Sequence, residues 1–303
     1  MIRLEDTSGG DISRAIAEER HRMGSPATGM VLTMLILSDE EYASDATEAA
    51  VLSARQHPMR ILTLIPRPGR GPDQIDAQVM VGGDDGPGEV AIVRLRGDRA
   101  GHGNSVVIPL LLPDTPVVSW WPSDPPPVPA DDPIGRHCQR RITDLATATD
   151  VQAALRERKA GYVPGDTDLA WTRLTSWRSA LASLLDDGSV QVRHATVEAE
   201  VDNPSAILLA AWLRWALGID VAHADVAGPG ITEVSLETSH GAITLARPDG
   251  AVALLTRPGV PESTIALPRR GLPDLLSEEL RRLDPDEVYG AVLRSMPDGP
   301  GAR

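Results

Sequence analysis

The stretch MVLTMLIL, at Met30–Leu37, is a continuous apolar run of strand length. Such a run is typical of a strand that is covered on both faces of a sheet. An acidic and then alanine-rich segment, Asp39–Gln56, predicts a helix, which His57-Pro58 ends. The run MRILTLI, at Met59–Ile65, predicts a second buried strand. A strand, a helix and a strand of these lengths indicate a right-handed βαβ unit with a parallel sheet.

The rest of the first half predicts more strands beside this unit. Ile75–Val81 alternates apolar and polar residues, the glycine-rich segment Gly82–Gly88 predicts a turn, and Glu89–Arg96 predicts another strand. The run VVSWW, at Val117–Trp121, predicts a strand that a proline ends. We expect residues 1–150 to form an α/β N-terminal domain, with a mainly parallel or mixed sheet flanked by helices.

The second half predicts helices first and short strands later. The predicted helices are Val151–Lys159, Asp168–Leu185, Pro204–Leu217, Leu272–Leu283 and Pro285–Arg294, and the predicted strands are His194–Val201, Ile231–Glu237, Ala242–Ala246, Ala251–Thr256 and Ser263–Leu267. Asn203 followed by Pro204 is a strong helix start, with Asn as the N-cap and Pro at the first position. We expect residues 151–303 to form an α+β C-terminal domain that begins with linking helices and contains an antiparallel meander.

Composition bounds the kind of partner. Acidic residues outnumber basic ones by 43 to 29, for a formal charge of −14, which opposes binding to nucleic acid or to an anionic membrane. Met1–Gly10 has no apolar core of a signal peptide. Cys138 is the single cysteine, so an intrachain disulfide is impossible and a reducing compartment fits. We therefore expect a cytoplasmic protein that binds a protein or a small ligand.

Motifs for catalysis, metals and cofactors do not appear in the chain. The seven His residues form neither HxH nor HExxH, there is no GxSxG, and Gly82–Gly88 does not match GxGxxG. Asp39, Glu40 and Glu41 follow the first strand, where their charges would repel a bound phosphate. Adjacent carboxylates are interpreted as solvated turn residues: Asp84/Asp85, Asp131/Asp132 and Asp186/Asp187. We predict no catalytic residue, no metal ligand and no bound cofactor.

The remaining clues concern a surface for a partner. Successive strand residues face opposite sides, so one of Trp120 and Trp121 should face inward and the other outward. The outward indole either packs under a helix or anchors an interface. The helix at Pro204–Leu217 is apolar almost all round, so it is either the central helix of the second domain or half covered by another subunit. Three arginine pairs fit ordinary surface charge or pairing with a partner's acids: Arg140/Arg141, Arg269/Arg270 and Arg281/Arg282.

Six segments together carry a family resemblance. They are Asp76–Gly83 (DAQVMVGG), Ser105–Pro122 (SVVIPLLLPDTPVVSWWP), Gln139–Asp144 (QRRITD), Gly161–Arg178 (GYVPGDTDLAWTRLTSWR), Leu267–Arg270 (LPRR) and Arg281–Gly290 (RRLDPDEVYG). In this order, and over nearly the whole chain, they resemble the glucose-6-phosphate dehydrogenase assembly proteins, called OpcA, of actinobacteria and cyanobacteria. The actinobacterial branch fits best.

The resemblance implies a non-catalytic partner of glucose-6-phosphate dehydrogenase. Members of the family are associated with assembly, stability or activation of that enzyme, which feeds NADPH production in the oxidative pentose phosphate pathway. The cyanobacterial members look redox-responsive through cysteines, whereas Cys138 has no second cysteine to pair with. We predict that seven residues contact the dehydrogenase or form the packing that shapes its contacts: Trp120, Trp121, Trp171, Arg173, Trp177, Arg140 and Arg141.

Two other functions remain open from the residues themselves. The α/β domain is compatible with an enzyme that acts on a sugar phosphate, which would need a pocket with converging polar groups. It is also compatible with a sensor of a sugar phosphate or nucleotide, which such a ligand would stabilise without any partner protein.

Overall fold

The computed structural model describes residues 1–23, 29–69, 71–82, 88–185 and 190–297. Residues 83–87 of the predicted glycine-rich turn lie outside this part of the chain, as do Asp84/Asp85 and Asp186/Asp187. The chain divides into two compact units. The first is Met1–Thr147, Gly165–Thr167 and Leu272–Pro285, and the second is Ala148–Pro164, Asp168–Gly271 and Asp286–Arg303.

The described residues contain the following strands and α-helices. The strands are β1 (Ile2–Leu4), β2 (Leu32–Leu37), β3 (Met59–Arg67), β4 (Ile75–Val81), β5 (Glu89–Arg96), β6 (Val117–Trp120), β7 (Arg140–Thr143), β8 (Asp166–Asp168), β9 (Val192–Ala199), β10 (Asp220–Asp225), β11 (Ile231–Thr238), β12 (Gly241–Ala246), β13 (Val252–Arg257) and β14 (Val260–Ala266). The helices are α1 (Gly9–Arg22), α2 (Glu40–Ser53), α3 (Gly103–Val107), α4 (Val151–Ala160), α5 (Leu169–Thr172), α6 (Thr175–Leu185), α7 (Pro204–Leu217), α8 (Leu272–Glu279) and α9 (Glu287–Ser295).

The first unit is built on a mixed sheet of eight strands in the order β1-β4-β5-β3-β2-β6-β7-β8. Parallel pairing runs from β5 through β3, β2 and β6 to β7. Strand β4 is antiparallel to both β1 and β5. The residues of β2 from Leu32 to Ile36 are all buried, as a strand covered on both faces requires. The predicted βαβ unit and the α/β fold class are therefore confirmed.

A buried ion pair joins two strands of this sheet. Arg60 on β3 and Glu89 on β5 are opposite each other in the ladder, and both are buried. Arg60 Nε donates to Glu89 Oε2 at 2.7 Å, and Arg60 Nη1 donates to the Leu110 carbonyl at 2.6 Å. Arg20 Nη1 donates to Glu89 Oε1 at 3.0 Å. Each charge of the pair thus enters the interior with partners, which burial of ions demands.

The second unit is built on a six-stranded sheet in the order β10-β9-β11-β12-β13-β14. Strands β9 and β10 are parallel, and the remaining neighbours are antiparallel, so the predicted meander is present with one parallel strand added at its edge. Helix α7 begins where the Asn203 side chain accepts from the Ala206 N–H, and it ends at Gly218, whose φ is 65°. It packs on β9, β10, α5 and α9. This position confirms α7 as the central helix of the unit.

Some elements differ from the sequence prediction. Strands β1 and β8 have three residues each, and β10 reads DVAHAD with little apolar character, so none has a pattern that predicts a strand. The helix predicted at Asp168–Leu185 is instead the end of β8 followed by α5 and α6. Asp168 is extended and caps α5, because its carboxylate accepts from the Ala170 N–H. The Leu174 N–H donates to the Trp171 carbonyl three residues back, which ends α5 in a tighter turn.

No helix among the described residues combines the length and apolar character that crossing a lipid bilayer requires.

Candidate functional site

The carboxyl end of β2 is the position at which doubly wound sheets usually bind phosphates. Helix α2 starts there, and Asp39 is its N-cap. The Asp39 carboxylate accepts from the backbone N–H groups of Glu41 and Tyr42 at 3.0 and 3.1 Å. Free N–H groups at such a helix start are what bind phosphate in dinucleotide folds. In this chain the side chain of Asp39 occupies them.

Glu40, the first residue of α2, forms ion pairs with two arginines. Glu40 accepts from Arg94 Nη2 at 2.7 Å and lies 2.6 Å from Arg67 Nη2. The hydrogen bond from Arg94, followed by that from Arg67, holds the pKa of Glu40 below its usual value. Glu40 is therefore a carboxylate at neutral pH, and its charge is paired with those of Arg94 and Arg67.

The predicted indole pair is buried. Trp120 has no exposed surface and Trp121 is 4% exposed, so neither indole faces solvent in this chain. A Cβ on Gly135 would come within 3.1 Å of the Trp121 ring, which shows that the turn around Gly135 packs on that ring. Both indoles pack in the interior of the first unit. A direct contact of either residue with a partner protein stays a prediction.

The predicted arginines of the first unit bind groups within that unit. Arg141 Nε donates to Asp166 Oδ1, which ties β7 to β8. Arg140 Nη2 donates to the Arg282 carbonyl, and Arg140 Nε lies 3.6 Å from Glu279 Oε2. Both guanidinium groups are buried, so they are structural cations rather than surface charges.

Trp171, one of the predicted residues of the second unit, belongs to a cluster of aromatic and cationic side chains. Trp171 is buried, and its Nε1 donates to Asp286 Oδ2 at 2.8 Å. The Arg178 guanidinium lies 3.8 Å from the centroid of the Trp171 ring, and the Tyr289 ring centroid is 5.5 Å from it. Arg173 is half-buried. Cation–π and ring contacts therefore fix the orientation of Trp171.

A second cation supports Trp177. The Arg247 guanidinium lies 5.0 Å from the Trp177 ring centroid. Arg247 Nη1 donates to the Leu267 carbonyl and Nη2 to the Ile231 carbonyl, both at 3.1 Å. Burial, and then the charge of Arg269, lower the pKa of Arg247 to about 10. Arg247 remains charged at neutral pH and joins the start of β11 to the residue that follows β14, beside the Trp177 ring.

The seven predicted residues therefore divide between the two units. Trp120, Trp121, Arg140 and Arg141 belong to the first, and Trp171, Arg173 and Trp177 belong to the second. Within the described residues no group of three or more His, Cys, Asp or Glu side chains is arranged to hold a metal ion.

Cys138 is a buried thiol. Its Sγ donates to the Ile134 carbonyl at 3.4 Å. Burial raises the pKa of the Cys138 thiol to about 11, and because the thiolate is the reactive form, such a cysteine is inert at neutral pH. The environment is that of a packing residue.

Comparison with known protein families identifies the family of this chain. Residues 50–160 match the profile of the glucose-6-phosphate dehydrogenase subunit N-terminal domain, of the OpcA assembly family. Residues 164–293 match the profile of the C-terminal domain of the same subunit. The chain belongs to the OpcA family. The resemblance carried by the six sequence segments is confirmed.

Several solved structures match this OpcA-family chain over most of its length at low sequence identity. KijD10, a 3-ketoreductase from Actinomadura kijaniata, is 11% identical with a TM-score of 0.49, and the match covers 88% of this chain and 94% of that one. An oxidoreductase from Sinorhizobium meliloti is 9% identical with a TM-score of 0.45, over 87% and 86% of the chains. An NAD-binding oxidoreductase from Klebsiella pneumoniae is 10% identical with a TM-score of 0.43, over 88% and 94%. Similarities at this level say nothing about activity. Comparison with curated proteins returned no match.

The six-stranded sheet of the second unit has one uncovered face, which the sequence analysis did not identify as a candidate surface. One face is covered, and its residues Ala195, Val197, Val234, Leu236 and Leu245 have no exposed surface. The opposite face consists of half-buried and exposed side chains. One row across it reads Ala224, Glu198, Glu233, Ala246, Leu254 and Thr264. The next row reads Ala222, Thr196, Ser235, Thr244 and Thr256. We call these two rows, with the neighbouring Val252, the open face.

The alternation that defines the open face is visible in the sequence, but its rows are not. HATVEA in β9 and TEVSLE in β11 alternate in the way a half-covered strand does. The row that sets Glu198 beside Glu233 depends on the register between strands 35 residues apart, which local patterns do not predict.

Proposed function

We propose that this chain binds glucose-6-phosphate dehydrogenase and acts on it as a non-catalytic assembly factor or allosteric activator. The observation that carries the proposal is the family match, because profiles named for a subunit of that enzyme cover residues 50–160 and 164–293. In this proposal the protein works in the cytoplasm and in the oxidative pentose phosphate pathway, where the dehydrogenase produces NADPH.

The charge distribution supports a protein partner over a phosphorylated metabolite. The backbone N–H groups at the helix start after β2 are occupied by the carboxylate of Asp39. The chain as a whole carries a formal charge of −14. Both features oppose an anionic ligand, while a protein surface with basic side chains would be attracted at long range.

The proposed effect on the dehydrogenase is a shift between its conformations or assembly states. A protein that binds one state more tightly increases the population of that state, and the size of the shift is limited by the difference in affinity. Residues that hold the second unit rigid, such as Trp171 and Trp177, would keep the docking surface ordered and so reduce the entropy cost of binding.

The experiment combines kinetics with a measurement of mass. The purified dehydrogenase is assayed with and without saturating amounts of this chain, and the mass of each mixture is determined by light scattering after gel filtration. We expect a complex of the two proteins together with a changed substrate affinity, turnover or oligomeric state of the enzyme. Binding with no change in any of the three would contradict activation and assembly alike.

Two controls address the other functions. The chain alone is incubated with glucose 6-phosphate and NADP, and its thermal unfolding is recorded with each compound. We expect neither turnover nor a rise in melting temperature. Turnover would support an enzyme acting on a sugar phosphate, and stabilisation by a ligand would support a metabolite sensor.

A further inference from the structure

The open face holds a like-charge contact in the free chain. Glu198 on β9 and Glu233 on β11 are directly opposite each other in the ladder. Burial, and then the charge of Glu198, raise the pKa of Glu233. Like charges directly opposite in a sheet are destabilising. The two rows of the open face contain no Lys or Arg, so no cation of this face offsets the repulsion.

The rest of the open face is apolar or small. Val252 and Leu254 are 44% and 37% exposed, and Ala246 lies between Leu254 and Glu233 in the row. Val252 and Leu254 are two residues apart on β13, so both side chains lie on the same face of the sheet. Because alanine, serine and threonine fill most of the remaining positions, another surface can approach the sheet closely.

The open face is large enough to form the centre of an interface. Six strands spaced by about 4.8 Å are about 24 Å across, and two rows occupy about four residues, or about 14 Å, along a strand. The flat area is on the order of 300 Å², whereas a standard interface buries about 800 Å² per partner. Residues around the open face would supply the rest of such an interface.

We propose that the open face is the surface on which a partner protein docks, and that the partner places an arginine between Glu198 and Glu233. This inference rests on the proposed function, under which the partner is glucose-6-phosphate dehydrogenase. A guanidinium group is planar and donates through five N–H groups, so one arginine can bind both carboxylates at once. The same contact removes the like-charge repulsion of the free chain.

Charge also decides against a second copy of this chain as the occupant. In a symmetric dimer the same patch of each copy faces the other. Two open faces would then bring Glu198 and Glu233 of one copy against a surface without Lys or Arg. A basic patch on a different protein complements the open face better.

The test measures binding of the full chain to the purified dehydrogenase by calorimetry. Two changes address the open face: the double substitution Glu198→Gln with Glu233→Gln, and Leu254→Arg. Two matched controls lie on the exposed surface of the same unit: Glu157→Gln on α4 and Val201→Arg in the turn after β9. We expect each open-face variant to weaken binding at least tenfold and each control to leave it within twofold. We also expect the double variant to lose most of the salt dependence of binding.

A second measurement does not depend on substitutions. Carboxyl groups of the unchanged chain are labelled with carbodiimide and an amine, with and without the dehydrogenase, and the modified residues are identified by mass spectrometry. We expect Glu198 and Glu233 to be protected in the complex and Glu157 to be labelled equally in both samples.

The outcomes separate the two proposals. If the unchanged chain binds and both open-face variants bind equally well, the docking surface is wrong and the proposed function stands. If the unchanged chain does not bind the dehydrogenase at all, the proposed function is wrong and the docking proposal falls with it. If Leu254→Arg instead dissolves a dimer of this chain, the occupant is a second copy and the proposal is overturned.

Discussion

The indole N–H of Trp171 donates to Asp286 Oδ2 at 2.8 Å, while Oδ1 of the same carboxylate accepts from the Tyr289 N–H and caps α9. One side chain thus satisfies a buried indole and a helix start. The Tyr289 ring in turn packs on Trp171. The position of α9 and the orientation of the indole are coupled through Asp286.

Replacement of Asp286 by Ala should therefore lower the stability of the chain more than the loss of an ordinary helix cap does. Loss of an N-cap costs about 1 kcal/mol, and a buried donor left without a partner costs about 1–3 kcal/mol more. We expect Asp286→Ala to lower the free energy of unfolding by about 2–3 kcal/mol in urea denaturation. Asp286→Asn, which keeps a cap and an acceptor, should recover part of the loss. The control is Asp284→Ala, at an exposed position nearby, which should leave the denaturation midpoint unchanged. An unchanged midpoint for Asp286→Ala as well would show that the hydrogen bonds to Trp171 and Tyr289 do not contribute to stability.

Breaking the ion pair between Arg60 and Glu89 should lower the free energy of unfolding more than the loss of Asp286 does. Removing one charge of a buried pair leaves the other without compensation, which costs about 3–5 kcal/mol. We expect Glu89→Gln to lower the free energy of unfolding by about 3 kcal/mol, because Arg60 remains buried between β3 and β5. Glu48→Gln, at an exposed position of α2, should stay within about 0.5 kcal/mol of the unchanged chain. Equal midpoints for the two variants would argue that Arg60 finds water or another partner.

Sequence patterns predicted the part of the fold in which burial follows directly from composition. Strand β2 is recognisable because Leu32 to Ile36 are apolar except for Thr33 and are buried without interruption. Strand β10 is not recognisable, since Val221 is its one buried residue and its pairing with β9 is set by α7 between them. Alternation predicted that Trp120 and Trp121 face opposite sides. It did not predict that the turn at Gly135 covers Trp121, because that contact joins residues distant in sequence.

The candidate site was predictable only in its general nature. The family resemblance is confirmed by the two domain profiles, whereas the absence of a phosphate at the start of α2 stays a prediction. The docking surface proposed on the open face depends on Glu198 and Glu233 being neighbours, and this follows from register and not from spacing.

The burial of Cys138 predicts an unreactive thiol. With a pKa of about 11, about one thiol in a thousand is ionised at pH 8, and the side chain is 5% exposed. We expect Ellman's reagent to modify Cys138 only when urea unfolds the chain. A Ser183→Cys variant, altered at an exposed position of α6, should react with one equivalent of reagent at once under native conditions. Rapid modification of the unchanged native chain would refute the packing role and reopen a redox function.

The contact between Glu198 and Glu233 predicts a stability that depends on pH. Glu198 on β9 is the charged residue opposite Glu233, and the residue opposite it on β12 is Ala246. The folded-state pKa of Glu233 is raised above the ordinary value of 4.5, so folding favours the protonated form. The resulting destabilisation is absent below the ordinary pKa and is complete above the raised one.

Glu233→Gln should therefore stabilise the chain at about pH 7, by about 0.5 kcal/mol, which is the scale of a cross-strand pair that solvent partly screens. The gain should vanish near pH 4, where the unchanged Glu233 is protonated. Urea denaturation at the two pH values measures it, and Glu157→Gln controls for the loss of one negative charge. A variant that is less stable at pH 7 would mean that Glu233 has a favourable partner within the chain, and the repulsion that an arginine of the partner protein is proposed to relieve would not exist.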